Sequence, residues 1–329
     1  GNTTDNSKLQ VQFTKDNAAV SNDPANPTKF PGDYTVKEFN DNDFKFVAVN
    51  GQDLSDLDRI VFTVRIMKDD KEVSKLTRTV NVTDVANESL SYNVTTAESI
   101  FNALDNASVT SAVYGPGTNN LNISETFTTD PDKVKLAHEV KVTATNNAGE
   151  TVALPGVIQN IISSNPLVAQ VSLKNGKAYV LGYKTGTATL NVVYSNLKGE
   201  TKQTSLNVTV KNDPVVVTKL ERTESSVTLS HNNANGAIVP KLMKLKATDN
   251  YGATYESNDS KDEINQYNFL LGITYSVQNV VSSDGTTVSV DKYGVITKNG
   301  NGQVEFDVVA TSASGQSVTT AFKLEADAL

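Results

Sequence analysis

The clearest hydrophobic alternation in the chain runs from Gly186 to Tyr194. Ala188, Leu190, Val192 and Tyr194 fall on one face, and Thr187, Thr189 and Asn191 on the other. A period of two with one apolar face predicts a strand half-buried on a two-layer core. Just before it, residues 168–173 and 177–181 read as two strands joined at Asn175-Gly176. Asn-Gly predicts a type I′ hairpin, because that turn needs φ > 0 at both central residues. Lys184-Thr185-Gly186 then breaks the chain before the long strand begins.

The same pattern returns near the C-terminus. Val171-Ser172-Leu173 matches Val288-Ser289-Val290, and Gly176 matches Gly294. Ala188, Leu190 and Val192 match Val304, Phe306 and Val308. Upstream, the Ala-Thr-Asn-Asn-Ala-Gly-Glu-Thr of 144–151 matches the Ala-Thr-Asp-Asn-Tyr-Gly-Ala-Thr of 247–254. The spacing between blocks differs, as it does when loops absorb insertions while paired strands keep their register.

The remaining pattern divides the chain into three. In residues 1–85, strands are expected at 9–13, 44–49, 60–66 and 72–82, with Ile60, Phe62, Val64 and Ile66 on one face. Asp69-Asp70-Lys71 supplies a turn, and this part reads as a first β-sandwich. In residues 86–212, one short helix is expected from about Thr96 to Asp105. Thr95 and Glu98 have capping-box spacing, and Ile100, Phe101 and Leu104 give an apolar stripe. A short strand is expected over 121–127. Lys211-Asn212-Asp213-Pro214 reads as the linker into 213–329, since Pro cannot donate to a sheet. There, strands are expected at 227–229 and 242–248, a loop at 231–236 and an exposed polar loop at 255–266.

Three segments carry a family resemblance: Ser164-Asn165-Pro166-Leu167-Val168-Ala169-Gln170-Val171, Asn175-Gly176-Lys177-Ala178 and Gly186-Thr187-Ala188-Thr189-Leu190. They resemble the bacterial Ig-like domain family, group 2. The resemblance covers 140–210 well and 244–324 less fully, and residues 1–130 carry no comparable signature. It implies an all-β fold of tandem Ig-like β-sandwich domains, here with one short helix. Such domains occur in surface-layer proteins, intimin/invasin-type adhesins and wall-bound enzymes. The Cys-free, Thr/Asn/Val-rich, acidic texture resembles surface-layer proteins of Gram-positive bacilli, which often use calcium to lock domains and assemble.

Composition narrows the function classes. The 329 residues suffice for two to three domains of about 100–150 residues. A net charge of −8 argues against nucleic acid, and no polybasic patch offers itself to anionic lipid. The chain has no Cys, which removes disulfides, thiolate metal sites and thiol nucleophiles together. It has no Trp either, so its cores must rest on aliphatic residues, Phe and Tyr. No apolar run approaches the ~20 residues that span a bilayer, so no membrane insertion is expected. No signal peptide is visible at Gly1-Asn2-Thr3-Thr4-Asp5. The expectation is a mature or truncated piece of a longer extracellular protein at the bacterial cell surface or cell wall.

Candidate chemistry is sparse. The two histidines, His138 and His231, sit in no nucleophile or metal motif and read as strand-edge and loop residues. Carboxylates pair at Asp41/Asp43, Asp69/Asp70, Asp130/Asp132 and Asp259/Asp262/Glu263, all in turn-like sequence where Asp bonds local backbone. A glycoside-hydrolase pair would need a cleft, so no catalytic residue is assigned and the chain is not expected to be an enzyme. The functional reading of these residues is calcium, which takes six to eight hard oxygens. The calcium candidates are Asp41, Asp43, Asp130 and Asp132, with Asp213 in the linker behind them; none has EF-hand spacing. Asn299-Gly300-Asn301-Gly302 lacks the Lys-Ser/Thr of a phosphate loop and reads as a hairpin turn.

Three functions follow. The first is a structural segment of a self-assembling surface layer, whose partners are other copies of itself and, through regions outside this chain, a cell-wall polymer. The second is the stalk or tip of an adhesin that binds a host protein or glycan. The third is an accessory part of a wall-acting enzyme. The missing Trp platform and uniform composition favour the first.

Overall fold

The computed structural model describes residues 9–15, 34–39, 44–48, 59–68, 71–81, 89–114, 119–120, 122–151, 156–196 and 198–326. Contacts divide the chain into two units, 1–91 with 145–152, and 92–144 with 153–329. In the first unit β1 (Leu9–Lys15), β4 (Arg59–Lys68) and β5 (Lys71–Asn81) form an antiparallel sheet in the order β1-β4-β5. A separate hairpin pairs β2 (Tyr34–Phe39) with β3 (Phe44–Ala48). Residues 71–79 of β5 are all exposed.

The second unit holds two sandwiches built to one plan. The first comprises β6 (Ser91–Thr95), β7 (Ser99–Phe101), α1 (Ala107–Thr110), β8 (Val113–Tyr114), β9 (Asn119–Asn120), α2 (Ile123–Thr129), β10 (His138–Thr145) and β11 (Gly156–Ser163), then β12 (Ala169–Lys174), β13 (Lys177–Gly182), β14 (Gly186–Asn196) and β15 (Thr201–Lys211). Its sheets run β12-β13-β10-β6 and β11-β14-β15-β7. Val94, Val140 and Val180 from one sheet meet Ile158, Leu190, Val192 and Val208 from the other in a single core. The predicted face of β14 holds: Ala188, Leu190, Val192 and Tyr194 are buried. So does the hairpin between β12 and β13, with φ of 52° at Asn175 and 74° at Gly176.

The second sandwich contains β16 (Val217–Arg222), β17 (Ser226–Leu229), α3 (His231–Ala234), α4 (Val239–Met243), β18 (Leu245–Asp249), β19 (Thr254–Asn258), β20 (Lys261–Asp262), α5 (Glu263–Gln266) and α6 (Asn268–Leu271), then β21 (Thr274–Ser282), β22 (Thr287–Val290), β23 (Ile296–Asn299), β24 (Val304–Thr311) and β25 (Ser317–Leu324). Its sheet β17-β25-β24-β21 repeats the order β7-β15-β14-β11. Both sheets end in a parallel pair, β15 with β7 and β25 with β17. Between β18 and β21 the second sandwich carries β19, β20, α5 and α6. The chain is therefore all-β, with tandem sandwiches.

One turn recurs five times and fixes the hairpin registers. It begins at Asn146, Asn196, Asp249, Asp291 and Ser312, each followed three residues later by a glycine. In each, the first residue's N–H donates to the carbonyl four residues on, and the glycine N–H donates back to the first carbonyl. The first side chain also accepts the N–H at the fifth position. The glycines hold φ between 77° and 98°, a left-handed conformation in which a Cβ would be strained.

Several expectations need correction. Residues 96–105 are not a helix. They hold β7 and a single 3-10 turn, Ala103–Asp105, because Ile100 and Phe101 must be buried on opposite sides. Ile100 enters the core of the first sandwich and Phe101 enters a different cluster, which a strand permits and one helix face does not. Residues 121–127 are not a strand, since α2 places Ile123 and Phe127 one turn apart and buries both. The segment 255–266 is not an exposed loop, because Tyr255 and Ile264 are fully buried and it forms β19, β20 and α5. Asn299-Gly300-Asn301-Gly302 joins β23 to β24, which pair with different partners, so it crosses between sheets. The chain thus has six short α-helices among the described residues, where one was expected. The 231–236 loop contains α3, and the 242–248 strand begins only at Leu245, after α4.

Candidate functional site

The feature with most structure around it is the joint between the two sandwiches. Phe101, Ala103, Val109, Ile123, Phe127, Val134, Leu136 and Leu181 share one buried cluster with Val215, Val217, Tyr251, Tyr255, Tyr267 and Leu271. The Phe101 and Tyr251 rings lie 5.8 Å apart, tilted by 46°. Lys135 N donates to Tyr267 Oη at 3.3 Å, and Lys135 Nζ pairs with Glu263 Oε1 at 3.0 Å. Burial pushes the Tyr267 phenol up to about 12. Within the first sandwich, Phe101 is set by close packing on β13, where a Cβ on Gly182 would run into the Phe101 carbonyl oxygen.

The linker is held as well. Asn250, in the turn between β18 and β19, donates from Nδ2 to Pro214 O (3.1 Å) and accepts Val216 N at Oδ1 (2.8 Å). Tyr251 Oη donates to Asp213 O at 2.7 Å. In the predicted break at 211–214, the carbonyls of Asp213 and Pro214 are therefore bound by the neighbouring turn. Beneath it, buried Asp249 accepts Tyr251 N (2.8 Å) and Ala253 N (2.9 Å) at Oδ1, and Tyr255 Oη (2.7 Å) at Oδ2. Burial first, then the Asp249 charge, raises the Tyr255 phenol well above its ordinary range.

The calcium candidates part company. Asp130 and Asp132 come together, but around an ammonium: Lys174 bonds Asp130, and its Nζ lies 3.0 Å from Asp132 Oδ1. Lys133 adds a second pair to Asp130 at 3.1 Å. The hydrogen bonds from Lys174 and then Lys133 hold the Asp130 carboxyl below its usual range. A metal ion there would have to displace Lys174. Asp213 contributes its backbone carbonyl to Tyr251 and joins no carboxylate cluster. Asp41, Asp43, Asp69 and Asp70 lie outside the described residues. Among the described residues, no three His, Asp or Glu side chains converge as a metal site. Asp262 is occupied with Ser257 and Asn265, and Glu263 with Lys135 and Lys261.

His138 opens β10, partly buried, and lies within reach of the Asp249 charge. Burial depresses its pKa below 6.5, and Asp249 only partly opposes this. The folded chain thus resists a proton that the unfolded chain accepts. Stability from this group is complete above about pH 6.5 and is lost as pH falls through the depressed value. Urea midpoints measured from about pH 8 to about pH 5.5 should fall on acidification, and His138→Gln should flatten that slope. An unchanged slope in the variant would remove His138 from the account. His231 lies at the start of α3.

A shallow groove of about 380 Å³ runs over the outer face of the sheet β17-β25-β24-β21. Asn279, Val281, Glu305, Asp307 and Lys323 line it, above Phe306 and Phe322. Asp307 accepts Asn279 Nδ2 at 2.8 Å. The sequence reading missed the joint altogether. Its signal was present: Asn250-Tyr251 inside the Asp249 turn puts an aromatic residue where the matching turn has Asn147-Ala148.

No protein-family model matches the chain, and no curated protein sequence matches it. Solved structures offer distant likenesses. Surface layer protein SbsC, domains 4–9, is 14% identical over 95% of this chain and 44% of that one, with a TM-score of 0.26. SbsC domains 6–7 are 18% identical over 72% of this chain and 99% of that one, at 0.25. A protocadherin gammaB7 EC3-6 fragment is 12% identical over 97% and 66%, at 0.21. The chain thus spans less than two thirds of the two longer structures, 44% of SbsC domains 4–9 and 66% of the protocadherin fragment. Superposition at this level is too loose to bear on function, and the sandwich fold rests on the sheets and cores described above.

Proposed function

We propose that this chain is a structural, non-catalytic segment of a self-assembling bacterial surface layer, built from tandem Ig-like modules of the group 2 kind divided near 85 and 212. The observation that carries the reading is the joint. Two sandwiches share a continuous apolar cluster, and the linker carbonyls of Asp213 and Pro214 are bound by Tyr251 and Asn250. A lattice strut must keep a fixed distance under load, and a buried joint with a clamped linker does this where a flexible linker does not. Asp130 and Asp132 are engaged by Lys174, and Asp249 and Asp291 by the amides of their own turns. Among the described residues no helix is long and apolar enough to cross a membrane.

The test is assembly. Purified full-length parent protein should form sheets or tubes with a regular repeat in negative-stain electron micrographs, and the comparison with and without calcium shows whether the ion takes part. A parent that stays monodisperse at high concentration under both conditions overturns the reading.

A further inference from the structure

The long edge strands of the two sandwiches carry the same short sequence. β11 contains Ile158-Gln159-Asn160-Ile161-Ile162-Ser163 followed by Ser164, and β21 contains Val277-Gln278-Asn279-Val280-Val281-Ser282 followed by Ser283. The two strands hold equivalent places, each at the open end of its four-stranded sheet. Each takes up an extra residue at the Gln-Asn, with register shifts between Ile158 and Asn160 and between Gln278 and Val281. Both leave large aliphatics in solvent: Val157 and Ile162 on β11 are 53% and 56% exposed, and Val280 and Val281 on β21 are 48% and 66% exposed.

We infer that these two bulged edges are the surfaces through which one copy of the chain docks on another, by side-chain packing between like edges. The inference deepens the assembly reading above and rests on it. Charge selects the partner. The chain carries a net −8, so two copies repel over most of their surface, yet neither β11 nor β21 contains a charged residue. Edge strands that avoid association are normally short or carry Lys or Pro. These are eight and nine residues long and carry neither. The exposed Gln159, Asn160, Gln278 and Asn279 add amides that both donate and accept, so a strip of this composition is complementary to itself. A second copy presents two such strips with the same spacing by construction.

The bulges shape the contact. An extra residue twists the edge and interrupts the row of free N–H and C=O groups, which stops runaway ladder extension. What remains to dock is the aliphatic row. On β21 the exposed Val281 stands at the margin of the groove that Glu305, Asp307 and Lys323 line, so the aliphatic row borders a polar rim.

Sedimentation velocity on this full chain over a wide concentration range, with hydrogen exchange on the same samples, tests it. Concentration-dependent association is expected, together with slowed exchange in 158–163 and 277–282. The double variant Ile162→Lys/Val281→Lys places like charges at the contact and should weaken association by about tenfold or more. Both sites are exposed, so its melting curve should match that of the parent chain. Should the lysines disturb folding, Ile162→Thr/Val281→Thr removes the apolar contact alone. Association that persists in folded variants overturns the edge assignment and leaves the assembly reading standing. A chain that is monomeric at every concentration also overturns the edge assignment, and the micrographs of the parent then decide the assembly reading separately.

Discussion

Asp249→Ala is expected to remove most of the stability of the C-terminal sandwich. The carboxylate is 3% exposed and accepts three donors, the amides of Tyr251 and Ala253 and the Tyr255 hydroxyl. Alanine leaves these groups facing a void. A buried donor without a partner costs about 1–3 kcal/mol, so three donors together cost on the order of 3–9 kcal/mol. A domain of this size has only about 5–15 kcal/mol to lose. Asp249→Asn is the control. Its Oδ1 still accepts both amides, as Asn196 does from Lys198 and Glu200 in the matching turn, and its amide faces a hydroxyl that can accept. Urea unfolding should place the Asn variant within about 1.5 kcal/mol of the parent and the Ala variant several kcal/mol below it. Equal losses in the two variants would mean that the acceptor geometry is not what holds this turn.

These turns also show what was legible in the sequence. A period of two with one apolar face is a local signal, and it gave β14 and β24 with their buried faces correctly. Asn175-Gly176 gave its hairpin because the turn type follows from two residues. The failures share another cause. Ile100-Phe101 read as half of a helical stripe because the sequence does not say that the two side chains enter different cores. Tyr255 read as a loop residue because its neighbours, Glu256, Ser257 and Asn258, are polar, while the partners that make burial tolerable, Asp249 and Tyr267, lie six and twelve residues away and meet it only through the turn and α5. The spacing of Asp130 and Asp132 likewise does not announce Lys174, which pairs with them from more than forty residues away. Tertiary packing decides such positions, and a period or a spacing carries no information about it.

Phe101→Ala is expected to uncouple the two sandwiches, and the neighbouring Ile100→Ala is expected not to. Phe101 is 3% exposed, packs its ring against Tyr251 and sets its carbonyl against Gly182. Truncating a buried Phe costs about 3–5 kcal/mol, and here the cavity opens in the joint. Ile100, one residue earlier, lies within the core of the first sandwich, where truncation costs about 2–5 kcal/mol of that core's own stability. The two variants thus lose similar amounts from adjacent positions by different routes. Native-state hydrogen exchange under rising denaturant separates them. In the parent chain, amides of β14 and β24 should open together, because neither sandwich can unfold without exposing the shared cluster. Ile100→Ala should lower that common opening energy and leave the two strands linked. Phe101→Ala should split it, with β14 and β24 opening at different denaturant concentrations. Independent opening in the parent chain, or joint opening in Phe101→Ala, would show that the contact between the modules does not bind them into one mechanical body, and a strut of fixed length would then need another source of stiffness.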